Sequence, residues 1–240
     1  MPHLEAYAKD LPYSYALGLF PASELMKKRP ELARRLLISE RAEDSEGLRA
    51  LRQLCAEHGV REEHADRVLG RISGKENCFA AVVFDKFRSE LSADGNHLVL
   101  HNPGDRGNLG TMLRTALGFG ITDVAVIRPA ADPFDPHTVR SSMGALFGLN
   151  LRMYDSFSEY RAEHPEHMCY PFMLDASVPL SRAVREKKEP FSLIMGNEGS
   201  GLPPEFGAVG QPVRIPHCDA IDSLNLSVAA AIGMYVFTQE

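Results

Sequence analysis

"FSLIMGNEGSGLP", residues 191–203, places a short apolar run directly ahead of three glycines and a proline. The run reads as the end of a buried strand. Glycines at 196, 199 and 201 then let the backbone turn sharply or come unusually near something. The spacing is not G-x-G-x-x-G, no Gly-Lys-Ser/Thr follows as in a P-loop, and Ser200 is not framed as G-x-S-x-G. Two readings are left: a backbone-lined pocket at a strand end, with Asn197 and Glu198 at its rim, or a glycine-rich turn with no ligand.

Around this stretch the chain alternates. "HLVLH" (97–101), "TDVAVI" (122–127), "LNLRMY" (149–154), "YPFMLDA" (170–176), "FSLIMG" (191–196) and "PVRIP" (212–216) read as strands. "GNLGTMLRTALGF" (107–119) and "PHTVRSSMGALF" (136–147) read as helices between them. Such alternation implies a mostly parallel sheet covered on both faces, with a ligand site at the carboxyl ends of the strands. The closing helix, "SLNLSVAAAIGMYVF" (223–237), is apolar on nearly every side and is expected to be buried against a sheet or a partner chain.

The first part of the chain reads as a small α/β unit. A helix over residues 20–36 interrupted at Pro30 precedes a strand at "LLIS" (36–39). A helix in "DSEGLRALRQLCAEHG" puts Leu48, Leu51, Leu54 and Cys55 on one face and ends on Gly59. "REEHADRVLGRIS" (61–73) reads as another helix and "CFAAVVF" (78–84) as a strand. The polar stretch at 85–97 looks like a linker, so the expected domains are 1–90 and 91–240.

Composition, with 44% hydrophobic and 24% charged residues, is that of an ordinary globular chain. No apolar run reaches the roughly 18–20 residues of a membrane span, and the N-terminus lacks a signal-peptide layout. The expected location is the cytoplasm. Cys55, Cys78, Cys169 and Cys218 show no C-x-x-C pairing and are too few and too scattered for a disulfide framework or a structural zinc site. The net charge of −6 argues weakly against nonspecific nucleic-acid binding. Basic residues nonetheless cluster at Lys27, Lys28, Arg34 and Arg35 and again at Arg106 and Arg114.

Two further segments flank strand ends. In "HNPGDRGNLGTMLRTALGFG" (101–120), Arg114 lies four residues beyond Gly110 and shares its helical face. It can reach a phosphate or carboxylate with paired hydrogen bonds, or form a surface salt bridge. In "RIPHCDAIDSLNLSVAAAIGM" (214–234), Asp222 or Ser223 suits a helix N-cap, which puts Asn225 in the first turn. Polar groups at a helix start favour an anionic or polar ligand.

Together, "NPGDRGNLGTMLRTALGFG", "LIMGNEGSGLP" and "IPHCDAIDSLNLSVAAAIG" resemble, in order, the three signature motifs of the SpoU/TrmH family of RNA ribose 2′-O-methyltransferases, within the SPOUT superfamily. "VRSSMGALFGL" is similar to the family's connecting segment, and the resemblance covers about residues 97–240. The N-terminal unit resembles, more loosely, the small ribosomal-protein-like RNA-binding domain of many members. The resemblance implies a SPOUT-type parallel sheet with a C-terminal deep trefoil knot, S-adenosylmethionine as cofactor, an RNA substrate with rRNA favoured over tRNA, and a homodimer formed through the knotted domain. It places the cofactor at Gly196, Ile215 and Leu224, with Met195, Asn197, Gly199 and Pro216 beside them. It places catalysis on Asn108, Arg114, Glu198, Ser223 and Asn225, with no metal. The family proposal makes the arginine matching Arg114 the base; an arginine pKa above 12 leaves open that it anchors the target phosphate or stabilises the developing alkoxide.

"NPGDRGN" carries two residues, Asp105 and Arg106, beyond the family's common "NPGN". The basic residues, Arg106 and some of Lys27, Lys28, Arg34 and Arg35 among them, are expected to gather on one face of the dimer. The rival functions are a noncatalytic RNA-binding or assembly protein on the same fold and a base-methylating SPOUT enzyme.

Overall fold

The computed structural model describes residues 4–73, 78–218 and 220–239. In chain order the elements begin with β1 (Tyr13–Leu17), α1 (Leu19–Lys28), β2 (Ala33–Ile38), α2 (Glu46–Glu57), β3 (Arg61–His64), α3 (Asp66–Ser73) and β4 (Ala80–Asp85). They continue with β5 (His97–His101), α4 (Arg106–Gly118), β6 (Asp123–Ile127), α5 (Pro136–Ser141), β7 (Asn150–Tyr154), α6 (Phe157–Glu163) and β8 (Met168–Pro171). The last are β9 (Val178–Pro179), α7 (Leu180–Arg185), β10 (Phe191–Met195), β11 (Val213–Arg214) and α8 (Leu226–Thr238). The chain divides into two compact units: Met1–Phe87 with Asp132–Gly148, and Arg88–Ala131 with Leu149–Glu240.

In the first unit the sheet order is β1-β4-β2-β3, antiparallel except for the β2–β3 pair. Tyr15, Leu37, Leu69, Ala81 and Val83 form its buried core. Ser45 caps α2 by accepting from the Leu48 N–H, and Gly59 ends the helix with φ +68°, a conformation that favours glycine. The structure corrects the reading of 61–73 as one helix. Residues 61–64 extend beside β2 (Arg35 opposite Arg61 through Ile38 opposite His64), and the helix starts only at Asp66. Edge pairing overrides helical propensity there. The helix expected over 136–147 is also shorter. It stops at Ser141 because Met143 and Gly144 both take positive φ, 52° and 74°. A side chain on Gly144 would meet Glu24 Cβ at 2.8 Å, so this turn packs directly on α1. The expected boundary of 91–240 thus encloses a segment, 132–148, whose contacts belong to the first unit.

The second unit is built on a five-stranded sheet in the order β7-β6-β5-β10-β8, parallel at every junction. The chain leaves β5 toward one edge and returns to β10 from the other, so β5 and β10 are neighbours at the switch point of the sheet. Their carboxyl ends are where a parallel α/β sheet opens a crevice. The polar stretch expected to be a linker is tied to this unit: Ser89 N–H donates to Leu151 O (3.0 Å) and Ser92 N–H to Asp123 Oδ1 (2.8 Å). Two helices, α6 and α7, and the strand start at Met168 are features the sequence reading did not anticipate.

The apolar closing helix is α8, which packs against α4 and buries Ala230, Gly233, Met234 and Phe237. Gly233 is required there, since a Cβ would lie 2.5 Å from the Phe172 ring. Val228 (47%) and Tyr235 (52%) are left exposed on its other side. Of the expected burial against a sheet or a partner chain, the structure shows one face buried within this chain, on α4, α7 and β10.

Candidate functional site

Three loops converge at the carboxyl ends of β5 and β10. The first, after β5, runs Asn102–Asp105 into α4. The second, Gly196–Leu202, leaves β10 and folds on itself through reciprocal backbone bonds between Asn197 and Gly201 (3.0 and 3.1 Å). Here the glycine at 196 has one reason to be there: a Cβ would sit 2.3 Å from the Gly201 carbonyl carbon and 2.5 Å from Leu202 N. The Asn197 side chain holds the loop from inside, accepting from the Gly199 and Ser200 N–H groups (2.9 and 3.2 Å) and donating to Asn102 O (2.9 Å).

Glu198 joins the second loop to the first. Its carboxylate accepts from Gly104 N–H (2.9 Å) and Asp105 N–H (3.0 Å) and from the Asn108 amide (3.4 Å). Burial pushes the carboxyl up, but the N–H groups of Gly104, Glu198 itself and Asp105, with the Asn108 amide, outweigh it and hold the group below its usual range. It is an anion held by donors. The additional Asp105 has a local role, because its side chain caps α4 by accepting from Asn108 N–H at 2.7 Å.

The third loop is attached through Asn225. The structure corrects the expected cap: neither Asp222 nor Ser223 but Asn225 starts α8, its Oδ1 accepting from Ser227 N–H (2.9 Å) and Val228 N–H (3.3 Å). With Oδ1 committed to the helix, Nδ2 faces Asn108 Oδ1 at 3.2 Å. Asn108 must then present its own NH₂ to Glu198. Each amide fixes the orientation of the next, Asn225 to Asn108 to Glu198.

Beneath this chain lies a cavity of about 190 Å³. Its wall includes Met195, Gly196, Asn197, Gly199, Ile215 and Leu224, six of the seven positions expected to bind cofactor, together with Glu198 and Ser223. Pro216 is exposed and is not part of the wall. Asn108, through its bond to Glu198, and Asn225, through its bond to Asn108, stand at the rim rather than in the lining. Arg114 is exposed on α4 and outside the wall, roughly 9 Å along the helix axis from Asn108. Sequence reasoning missed Phe172, Met173 and Leu174, which follow β8, and His217. His217 donates Nδ1–H to Ile215 O (3.0 Å). A periodicity signal could not reveal these, because their place depends on β8 and β11 meeting through the Phe172–Val213 bridge.

Residues 95–235 match the model of the SpoU rRNA methylase family. The chain belongs to that family. Among SpoU relatives it is similar to the 23S rRNA (guanosine(2553)-2′-O)-methyltransferase RlmP of Bacillus subtilis, at 35% identity over 55% of this chain and 53% of that protein. It is also similar to slr1673 of Synechocystis, an uncharacterized tRNA/rRNA methyltransferase by name, at 31% identity over 58% of this chain and 51% of that one. The chain spans about half the length of these curated relatives. Among solved structures, the SpoU methyltransferase AviRb of Streptomyces viridochromogenes superposes with a TM-score of 0.79 at 22% identity, over 95% of this chain and 89% of that one, a likeness of fold.

The basic residues expected to serve RNA binding are partly committed. Lys27 and Lys28 both pair with Glu24 (3.7 and 3.2 Å), Arg35 pairs with Glu63 (3.2 Å), and Arg34 pairs with Asp85.

Proposed function

We propose that this SpoU-family chain is an S-adenosylmethionine-dependent RNA methyltransferase acting on a ribose 2′-hydroxyl, with rRNA as the substrate class. The observation that carries this reading is the Asn225–Asn108–Glu198 chain spanning the rim of a cavity walled by Gly196, Ile215 and Leu224. The cavity fits the cofactor in kind. Met195, Ile215, Leu224 and Leu226 offer apolar walls, the backbone of 196–201 offers polar contacts, and Glu198 offers a fixed anion toward a cationic group. When bound, the cofactor supplies an electrophilic methyl on a sulfonium.

The chain's own residues then have distinct tasks. The loop at Gly196–Leu202, with Ile215 and Leu224, holds the donor. Glu198, stabilised as an anion by the donors around it, braces the first loop and keeps Asn108 in one orientation; Asn108 and Asn225, with Ser223 at the cavity wall, position the acceptor ribose. Arg114, exposed one and two-thirds turns along α4, is assigned to the phosphate beside the target ribose, because a guanidinium stays protonated and makes a poor base.

The SPOUT trefoil knot, with the C-terminal segment threaded beneath the Gly196–Leu202 loop, and a homodimer joined through the exposed α8 face carrying Val228 and Tyr235 belong to the same reading. So do an RNA-binding role for residues 1–90 and a cytoplasmic location; no helix among the described residues is long and apolar enough to cross a membrane.

The deciding experiment incubates the protein with labelled S-adenosylmethionine and either rRNA fragments or tRNA, then locates the methyl by mass spectrometry. Label on ribose in rRNA supports the proposal. Label on a base, label confined to tRNA, or no binding of the cofactor by calorimetry would each remove a stated part of it.

A further inference from the structure

At the opposite end of the same sheet, His97, His164 and His167 come together, all buried, with candidate ligand atoms within 4.8 Å of one another. His97 opens β5, and the other two form a His-x-x-His pair in the turn between α6 and β8. We propose that this cluster is a structural site for a zinc-class divalent transition metal.

The first support is which ring nitrogens carry hydrogen. His97 Nε2 faces Ser92 O (2.8 Å) and His167 Nε2 faces Ala93 O (3.0 Å). A carbonyl only accepts, so both Nε2 atoms are protonated, and in the neutral ring each Nδ1 is left with its lone pair. An outer N–H bound to a backbone carbonyl is the usual support of a metal-binding histidine. His164 Nδ1, also buried, has no hydrogen-bond partner among the described residues.

The second support is a proton count. Tyr160 OH lies 2.8 Å from His97 Nδ1 and 2.6 Å from Ser192 Oγ, which lies 3.0 Å from His167 Nδ1. These three contacts join two bare nitrogens, and only two hydroxyl protons are available for them. With neutral rings one contact has no proton. A cation accepting the two Nδ1 lone pairs removes two of the contacts and leaves Tyr160 and Ser192 a proton for the third. Asp123, which accepts from Ser92 N–H, supplies nearby negative charge. Donors that are all imidazole select zinc, cobalt, nickel or copper over magnesium or calcium. His97 pairs in register with Asp123 and Ser192 at the amino ends of the strands, away from the cofactor crevice, so the role is structural.

The test titrates chelator-treated, full-length protein with Zn²⁺, with Co²⁺ as a spectroscopic probe and Mg²⁺ as control. One Zn²⁺ per chain, a raised melting temperature, no response to Mg²⁺ and a Co²⁺ absorption spectrum of a nitrogen-ligated, low-coordinate ion are expected. His164→Gln, which leaves the Ser92 and Ala93 contacts in place, should weaken zinc binding at least about tenfold. Binding unchanged in that variant, a water-ligated octahedral Co²⁺ spectrum, or no binding by the wild type overturns the proposal. If His164→Gln does not fold, the wild-type Co²⁺ spectrum decides, since it reports the donor atoms directly.

Discussion

Asn225 and Asn108, 117 residues apart, share one hydrogen bond of 3.2 Å, and through it the cap of α8 determines how the rim of the cavity is oriented. The same amide has two duties, with its oxygen on the helix and its nitrogen on Asn108. The two can be separated by mutation. Asn225→Ala removes both and should cost about 1 kcal/mol of stability, the ordinary worth of a cap. Asn225→Asp keeps an accepting oxygen for the cap but loses the donor, so urea unfolding should change little while RNA methylation falls at least about tenfold. Equal loss of stability in both variants would show that the bond to Asn108 is structural only.

The glycines of the Gly196–Leu202 loop should differ sharply in tolerance. Gly196→Ala forces a methyl to 2.3 Å from backbone that cannot step aside, and overpacking of this kind costs about 1–3 kcal/mol or more. Gly199→Ala meets nothing nearer than Asn197 Oδ1 at 3.5 Å. Calorimetry should find cofactor binding lost in the first and retained in the second.

Arg114 is exposed, so Arg114→Ala should leave stability within about 0.5 kcal/mol of the wild type. The same variant should bind S-adenosylmethionine normally and methylate RNA poorly. A normal methylation rate would refute its assignment.

Glu198 has a folded-state pKa below its ordinary value of 4.5. A depressed carboxyl contributes stability above the unfolded pKa, and the contribution is lost as pH falls through the folded one. Wild-type stability should therefore decline beneath about pH 4.5 more steeply than that of Glu198→Gln. Denaturant midpoints between pH 3 and pH 6 would measure the difference.

The buried histidines predict a second, higher acid limb in metal-free protein. His97 falls from 6.5 unfolded to about 4 folded, so the unfolded chain takes up a proton first as pH drops. Stability should weaken between about pH 6.5 and pH 4, by roughly 2–4 kcal/mol at about 1.4 kcal/mol per unit. His97→Gln should flatten that limb, as read from urea midpoints across the range.

Much of this protein could be read before any contact was known. The alternation of "HLVLH", "TDVAVI", "LNLRMY" and "FSLIMG" with helical segments announces a parallel sheet, since strand and helix periodicities are local properties of the chain. The clustering of Gly196, Gly199 and Gly201 after an apolar run marks the crevice end of that sheet, since backbone freedom too is written residue by residue. What only the tertiary structure decided depends on residues far apart in sequence. That the residue capping α8 also bonds Asn108 joins two segments 117 residues apart. The extended conformation of 61–64 follows from the free edge of β2, and the membership of 132–148 in the first unit follows from the fit of Gly144 against Glu24 and Pro21. The meeting of His97 with His164 and His167 is of the same kind: one residue begins a central strand and two lie in a turn before the sheet's edge, and no spacing along the chain reports that the fold closes the distance between them.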